Sequence, residues 1–173
     1  MFDALLIRGA PGVGKTSSAN LLLAKLGRGA LVEVDALRTA QVGCDWQNRM
    51  QHSIALKVAA CCVAPYVAGG VRPVVIVDTF GRTSVQEMQE HMSKSGLSHI
   101  TISLWANLRI LSERIRQRSG KSTNLSLSQL INNEIAELRF EKEHLLDTSV
   151  LTLEDTVEKI ERILIREATI LCH

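Results

Sequence analysis

The feature that most constrains the fold is a glycine-rich turn between a short apolar run and a helical pattern. Residues 4–7 are apolar throughout, residues 9–16 read Gly-Ala-Pro-Gly-Val-Gly-Lys-Thr, and residues 16–26 have helical spacing. Closely spaced glycines allow the backbone to curl tightly between the two elements. A strand, a tight turn and a helix in this order begin a right-handed βαβ unit, and such units build parallel sheets.

The same turn has the composition of a phosphate-binding loop. The spacing Gly-x-x-x-x-Gly-Lys-Thr turns backbone N–H groups inward around phosphate oxygens, and the following helix adds its positive end. Lys15 supplies a cation for the outer phosphates, and the Thr16 hydroxyl is a Mg²⁺ ligand. The sequence therefore predicts ATP and Mg²⁺ as cofactors. The expected nucleotide-binding residues of the loop are Gly9, Ala10, Pro11, Gly12, Val13, Gly14, Lys15, Thr16 and Ser17.

Strand and helix patterns alternate over the rest of the chain. Further strands are predicted at residues 30–34, 74–77 and 100–104, with a short strand or turn around 147–151. Helices are predicted at 46–68, from Ser84 to near Gly96, at 107–118, from Ser126 onward and at 154–170. Helix 46–68 is apolar nearly all round, so we expect it to be the most deeply packed. Ser84 and Glu87 have capping-box spacing. The pattern predicts one domain, 1–173, with a three-layer α/β/α P-loop NTPase fold and a parallel sheet of about five strands.

Composition narrows the class of protein further. Apolar residues make up 46% of the chain, charged residues 22%, and the formal net charge is +2, which argues against a protein that coats nucleic acid. The four cysteines lack metal-ligand spacing, which indicates free thiols in a reducing compartment. No run is long enough to span a bilayer and no export signal is evident. We therefore expect a cytoplasmic protein without membrane contact.

Two acidic segments follow predicted strands. Asp35 and Arg38 are three residues apart, so they share a face if the chain is helical there. The Asp35 carboxylate could then take a proton from an acceptor hydroxyl, and the Arg38 guanidinium could hold an acceptor phosphate. The alternative is a helix N-cap with a surface arginine. Asp78 ends the most apolar strand, where a P-loop protein holds its magnesium shell. Arg82, four residues later, either contacts the acceptor or solvates a helix start.

Basic residues crowd the helix at 107–118. Arg114 and Arg118 lie four residues apart on one face, and Ser119 and Gly120 offer a hinge for a short lid around residues 107–125. Such cations neutralise the charge that develops during phosphoryl transfer, although charge runs are also common on solvated faces. The candidate catalytic residues are thus Lys15, Asp35 and Arg118.

Taken together, these motifs resemble the nucleoside monophosphate kinase-like and polynucleotide kinase-like group of small AAA-type P-loop kinases. The sequence Asp-Ala-Leu-Arg at Asp35 is similar to the acceptor-binding segment of adenylate kinases, and the segment at Asp78 to their Asp-Gly-Phe-Pro-Arg-Thr motif. The resemblance implies that Arg114 lies over the adenine, that Arg118 binds the phosphates, and that residues 146–149 lie beside the base.

The resemblance also implies an activity. It is ATP-dependent transfer of the γ-phosphoryl group to a nucleotide or to a small hydroxyl-bearing acceptor. In polynucleotide 5′-hydroxyl kinases the same Asp-x-x-Arg arrangement supplies a base and a phosphate-binding arginine, so a nucleic-acid 5′ end is an alternative acceptor. A non-catalytic nucleotide-binding module is the other alternative. The sequence leaves the acceptor and the oligomeric state open.

Overall fold

A parallel five-stranded sheet organises the molecule. The computed structural model describes residues 2–117, 125–137 and 143–170. The strands are β1 (Ala4–Gly9), β2 (Ala30–Glu33), β3 (Val74–Val77), β4 (His99–Trp105) and β5 (Glu143–Asp147), in the spatial order β2-β3-β1-β4-β5. The helices are α1 (Lys15–Leu26), α2 (Val34–Thr39), α3 (Arg49–Ala68), α4 (Arg82–Lys94), α5 (Leu108–Gln117), α6 (Leu125–Glu137) and α7 (Leu153–Ile170). The prediction of an α/β fold with a parallel sheet of about five strands is confirmed.

Helices cover both faces of the sheet, so the central strands are apolar on both sides. Leu5 and Ile7 of β1 belong to a core cluster with residues of α1 and α7. Ala4 and Leu6, which point to the opposite face, belong to a second cluster with residues of α3 and α4. All four residues of β3 are buried, as expected for a strand without polar alternation.

The carboxyl ends of three neighbouring strands bring the sequence motifs together. β1 lies between β3 and β4, with Ile7 in register with Val77 and Gly9 in register with Leu104. β2 pairs with the outer edge of β3 and ends at Glu33. The segments after β1, β2 and β3 therefore emerge side by side, where open α/β sheets bind their ligands.

α3 differs from the sequence prediction. It begins at Arg49, where the Asn48 side chain accepts hydrogen bonds from the N–H groups of Met50 and Gln51. The prediction that it is the most deeply packed helix is wrong. One face of α3 packs against the sheet through its buried residues, Ala55, Leu56, Ala59 and Val63. The apolar residues on the opposite face are exposed, because no part of the described chain covers them.

The predicted capping box at Ser84 is also wrong. α4 begins two residues earlier, at Arg82, with Gly81 as its N-cap. Ser84 Oγ donates to the Gly81 carbonyl, and Glu87 Oε1 accepts from Ser53 Oγ of α3 at 2.7 Å. The carboxylate thus joins two helices and does not cap its own.

The last strand starts earlier than predicted. β5 covers Glu143–Asp147, and a turn follows it. None of the described helices is both long enough and apolar enough to cross a membrane.

Candidate active site

The loop between β1 and α1 is shaped by glycines in left-handed conformations. Gly12 has φ of 91° and Gly14 has φ of 106°, values that residues with a side chain rarely adopt. A Cβ on Gly12 would lie 2.6 Å from Ile115 Cγ1, whereas a Cβ on Gly14 would meet nothing within 4 Å. The loop is therefore closely packed under α5 at Gly12 and open at Gly14, where α1 begins.

Lys15 and Thr16 are the first residues of α1. Lys15 Nζ donates to the carbonyl oxygens of Gly9, at 2.9 Å, and Ala10, at 3.2 Å. The ammonium group thus lies over the loop, at the positive end of the helix. Thr16 Oγ1 donates to Glu33 Oε2 at 3.3 Å. Ser17 is exposed beside them. The structure thus places the charged and hydroxyl groups of the motif at one end of α1.

Glu33 is a site residue that sequence reasoning missed. It is the last residue of β2 and its carboxylate reaches the motif threonine. Glu33 lies within the predicted strand 30–34, two residues before Asp35, but its contact with Thr16 of α1 has no signal in the local sequence. The structure therefore brings an additional carboxylate to the end of the loop.

Asp78 lies directly after β3 and its carboxylate is almost entirely enclosed, with a side-chain exposure of 3%. His52 Nε2 of α3 lies 2.9 Å from Asp78 Oδ2, and the Phe80 N–H donates to the same oxygen at 3.4 Å. Phe80 is buried with φ of 43°, so it is a core residue that turns the chain sharply after Asp78. His52 is the second residue that sequence reasoning missed, since nothing in the spacing of α3 indicates its strand partner.

Asp35 lies near other charged groups at the carboxyl edge of the sheet. Asp35 is exposed, yet desolvation by the surrounding protein raises the pKa of its carboxyl, and the neighbouring carboxylate of Asp78 raises it further. Lys15, Arg38 and His52 oppose this increase in pKa. Asp35 therefore interacts electrostatically with Lys15 and Asp78, which are also expected to carry the chemistry.

Arg38 already has partners in the protein. Its side chain is buried, and Nη2 donates to the carbonyl oxygens of Trp46, at 2.9 Å, and Asp45, at 3.4 Å. The guanidinium carbon lies 4.5 Å from the centre of the Trp46 ring, in cation–π contact. Arg38 therefore fastens the segment before α3 to α2, beside Asp35.

Arg114 of α5 connects the glycine-rich loop with the segment that follows β5. Its Nη1 donates to the Val13 carbonyl at 3.3 Å and to Thr148 Oγ1 at 2.9 Å, and Nη2 donates to the Thr148 carbonyl at 2.8 Å. Burial lowers the pKa of the guanidinium, and the nearby Asp147 carboxylate acts in the opposite direction. The segment after β5 is thus tied to the glycine-rich loop through α5.

Two of the predicted basic residues, Arg82 and Arg118, remain to be located. Arg82 is exposed at the first turn of α4. Arg118 and residues 119–124 of the predicted lid lie outside the described residues.

The oxygen groups at the loop fit a magnesium ion. Thr16, Glu33 and Asp78 offer hydroxyl and carboxylate oxygens, the hard donors that Mg²⁺ prefers. No group of three or more His, Cys, Asp or Glu suited to a metal occurs in residues 2–117, 125–137 and 143–170. A magnesium ion of this kind takes one or two protein oxygens and completes its shell with phosphates and water, so the donor set is sufficient.

Solved structures of two kinases and of an antibiotic resistance protein share this fold. A gluconokinase from Sinorhizobium meliloti 1021 superposes with a TM-score of 0.72 at 21% identity, over 97% of this chain and 94% of that one. The APS kinase of Mycobacterium tuberculosis, in complex with AMPPNP and APS, gives 0.65 at 14% identity, over 93% and 96%. The tunicamycin resistance protein of Deinococcus radiodurans gives 0.63 at 23% identity, over 94% of each chain.

Sequence comparison adds a family to this likeness of fold. Among curated proteins none matches the chain. A family model does match, AAA_33, described as an AAA domain, over residues 5–138. That range includes the glycine-rich loop, Asp35, Asp78 and Arg114. The chain therefore belongs to the AAA_33 family of P-loop domains and has the fold of the small P-loop kinases.

Proposed function

We propose that this protein is an ATP-dependent phosphotransferase that transfers the γ-phosphoryl group to a hydroxyl of a small acceptor. The observation that carries the proposal is the position of Asp35 directly after β2, where its carboxyl interacts electrostatically with Asp78 and with Lys15 of the glycine-rich loop. A base in that position would lie near the outer phosphates that the loop would hold. The kinase folds of the structural neighbours support the same reaction class.

On the donor side, the loop amides of residues 9–14 and Lys15 would hold the β- and γ-phosphates. Thr16 and Asp78 would ligate Mg²⁺, with Glu33 orienting the threonine hydroxyl. When bound, the ion neutralises charge on the phosphate oxygens. Arg118 is proposed to close over the transferring group, a role for which family resemblance is the support. Arg114 would shape the base-binding side through its contacts with Thr148.

On the acceptor side, the proposed step is an in-line displacement. The acceptor oxygen forms a bond to the γ-phosphorus, the bond from that phosphorus to the β,γ-bridging oxygen breaks, and Asp35 accepts the hydroxyl proton. Desolvation and the neighbouring Asp78 raise the pKa of the Asp35 carboxyl, which makes the carboxylate a better proton acceptor.

The hydroxyl acceptor is favoured over a nucleoside monophosphate by the contacts of Arg38. Its guanidinium already donates to two backbone carbonyls and stacks on Trp46. A bidentate grip on an acceptor phosphate that used Nη2 would compete with these two carbonyl oxygens. Arg82 at the exposed start of α4 remains the proposed acceptor contact, suited to an anionic or polar group on the acceptor.

The test is a γ-phosphate transfer screen with radiolabelled ATP. Its arms are small polyols and sugar acids, 5′-hydroxyl oligonucleotides and nucleoside monophosphates, with acceptor-free hydrolysis as the blank. On the best acceptor, Asp35→Asn is expected to lower kcat by about 10²–10⁴-fold, the range for loss of a general base. Glu154→Gln, an exposed carboxylate of α7, is the matched control.

Each outcome of the screen decides between acceptors. Labelling of a small alcohol with a large loss in Asp35→Asn supports the proposal. Labelling of oligonucleotides only would assign a polynucleotide 5′-hydroxyl kinase. Efficient labelling of a nucleoside monophosphate with little loss in Asp35→Asn would overturn the hydroxyl acceptor. ATP binding without transfer in any arm would assign a non-catalytic nucleotide-binding module.

A further inference from the structure

Trp46 is an aromatic residue that the protein holds in contact with solvent. It lies in the segment between α2 and α3, residues 40–48, which we call the α2–α3 loop. The residue is 54% exposed and, in the described part of the chain, belongs to neither hydrophobic core cluster. Burial of an aromatic ring stabilises a fold, and a loop that presents one to water gives up that stabilisation. Packing into the core therefore does not account for the position of Trp46.

Hydrogen bonds from both flanking helices fix the α2–α3 loop in place. From α2, Arg38 donates to the carbonyl oxygens of Asp45 and Trp46. From α3, Gln51 Oε1 accepts from the Asp45 N–H at 2.8 Å, and Gln51 Nε2 donates to the Gly43 carbonyl at 3.2 Å. The exposed ring thus stands on a preorganised support, which lowers the entropic cost of binding a ligand against it.

Arg38 places the ring near the proposed base. Its guanidinium carbon lies 4.5 Å from the centre of the Trp46 ring, and the same guanidinium interacts electrostatically with the Asp35 carboxyl. The ring and the carboxyl group are therefore both neighbours of one guanidinium, within reach of a single small molecule. Because Arg38 lies over one face of the ring, the opposite face is the one available to a ligand.

The nitrogens of Arg38 are engaged or enclosed. Nη2 donates to two backbone carbonyls of the α2–α3 loop. Nε is buried and has no hydrogen-bond partner within residues 2–117, 125–137 and 143–170. Neither of these two nitrogens can receive an acceptor oxygen unless the loop moves. Arg38 thus supports the ring, and the ring is the surface that an acceptor can contact.

We propose that the open face of Trp46 stacks on the acceptor, which carries its reacting hydroxyl on a molecule with a flat ring. This inference rests on the proposed function, because it takes Asp35 as the base that receives the hydroxyl proton. Stacking on an aromatic face requires a flat partner and tolerates differences in its polar groups. It favours a nucleoside or a sugar ring over an open-chain polyol, which has no flat face. Arg38 is a positioning residue that holds the stacking ring.

The first experiment measures binding and does not depend on transfer. The chain has two tryptophans, so the emission of Trp105→Phe comes from Trp46 alone. With Mg²⁺ and a non-hydrolysable ATP analogue present, thymidine or methyl β-D-glucopyranoside should change this emission saturably, whereas glucitol, an open-chain polyol, should not. If Trp105→Phe does not fold, the difference in emission between the wild type and Trp46→Phe supplies the same readout. No saturable change with either ring alcohol, or an equal change with glucitol, would overturn the proposal.

The second experiment measures kinetics with the ring alcohol that is phosphorylated faster. Trp46→Ala is expected to raise the KM for that alcohol by about 10-fold, equivalent to about 1.4 kcal/mol, with kcat and the KM for ATP unchanged. Trp46→Phe keeps an aromatic face and should recover most of the loss. Tyr66→Ala removes an aromatic side chain that is 42% exposed on α3, and this matched control should keep the wild-type KM. An unchanged KM in Trp46→Ala, or a loss in kcat alone, would contradict the stacking role.

A double-variant cycle separates the role of Arg38 from that of Trp46. Arg38→Lys should raise the KM for the ring alcohol because the ring loses its support, and Arg38→Lys combined with Trp46→Ala should have the KM of Trp46→Ala alone. Multiplication of the two effects would mean that Arg38 binds the acceptor itself, contrary to its positioning role.

The two proposals can fail separately. A saturable response of Trp46 emission without phosphorylation of any alcohol would overturn the phosphotransferase and leave the ring contact standing. Phosphorylation of a ring alcohol with a wild-type KM in Trp46→Ala would overturn the ring contact and leave the phosphotransferase standing.

Discussion

His52 Nε2 on α3 lies 2.9 Å from Asp78 Oδ2 at the end of β3, 26 residues away in the chain. Because Asp78 is nearly enclosed and its Oδ2 also accepts from the Phe80 N–H, the carboxylate is held from two sides. Second partners of this kind fix the orientation of oxygens that ligate a metal. His52 is thus a positioning residue for Asp78 within the proposed function.

Replacing His52 is therefore expected to weaken magnesium-dependent nucleotide binding. We expect His52→Ala to lower the apparent Mg²⁺ affinity of the ATP complex by about 10-fold or more, the lower end for loss of an outer-shell partner. His52→Gln, which can still donate to Asp78, should recover part of the loss. Calorimetric titration of Mg²⁺ into the protein with a non-hydrolysable ATP analogue gives the affinity. Equal affinities in His52→Ala and in the control His91→Ala would contradict the positioning role.

Asp35 is expected to make stability depend on pH. Its raised pKa means that the folded protein binds this proton more tightly than the unfolded chain, whose carboxyl titrates near 3.8. The free energy of unfolding therefore decreases as pH rises from about 3.8 through the higher folded pKa. Asp35→Asn removes the ionised form and should raise Tm at pH 7 by about 1–2 °C, a small effect because the side chain retains solvent contact.

Thermal unfolding at a series of pH values, with EDTA and without nucleotide, measures this effect. The difference in Tm between Asp35→Asn and the wild type should shrink as the pH falls toward 3.8. An Asn variant that is less stable than the wild type at neutral pH would show that the carboxylate is stabilised by its neighbours, contrary to the direction of the pKa.

Gly12 is expected to tolerate no side chain. In Gly12→Ala the new Cβ would lie 2.6 Å from Ile115 Cγ1, on a backbone with φ of 91°. We expect a loss of about 1–3 kcal/mol in the free energy of unfolding, and weaker ATP binding because the loop must move. Adding Ile115→Ala should relieve the contact but not the backbone strain, so only part of the loss should return in chemical denaturation. Full recovery would mean that strain at Gly12 contributes nothing.

The sequence predicted the sheet, the phosphate loop and the strand ends that carry Asp35 and Asp78, because each of these depends on local patterns. It missed His52 and Glu33, whose roles arise from contacts between distant elements. Arg8 was missed for the same reason: it is fully buried on β1, with Glu143 of β5 at 3.6 Å, and a charged residue in a core strand has no local signature.

Two wrong predictions have related causes. Ser84 and Glu87 have the spacing of a capping box, but α4 starts at Arg82, and Ser53 of α3 binds the glutamate. The apolar residues of α3 predicted deep burial, but composition alone cannot distinguish a buried helix from one with an exposed apolar face.

Within the proposed function, the fork shape of the Arg114 guanidinium is expected to hold together the segments that would bind the base. Two nitrogens donate to Thr148 and one of them also to the Val13 carbonyl, a fork that a lysine ammonium cannot reproduce. Arg114→Lys should therefore lower Tm and weaken binding of a fluorescent ATP analogue by about 10-fold, equivalent to about 1.4 kcal/mol. Arg109→Lys changes an exposed arginine of the same helix, paired only with Glu113 among the described residues, and should leave both quantities unchanged. If Arg114→Lys lowers Tm while nucleotide affinity stays at the wild-type value, Arg114 supports the fold of this region without shaping the nucleotide site.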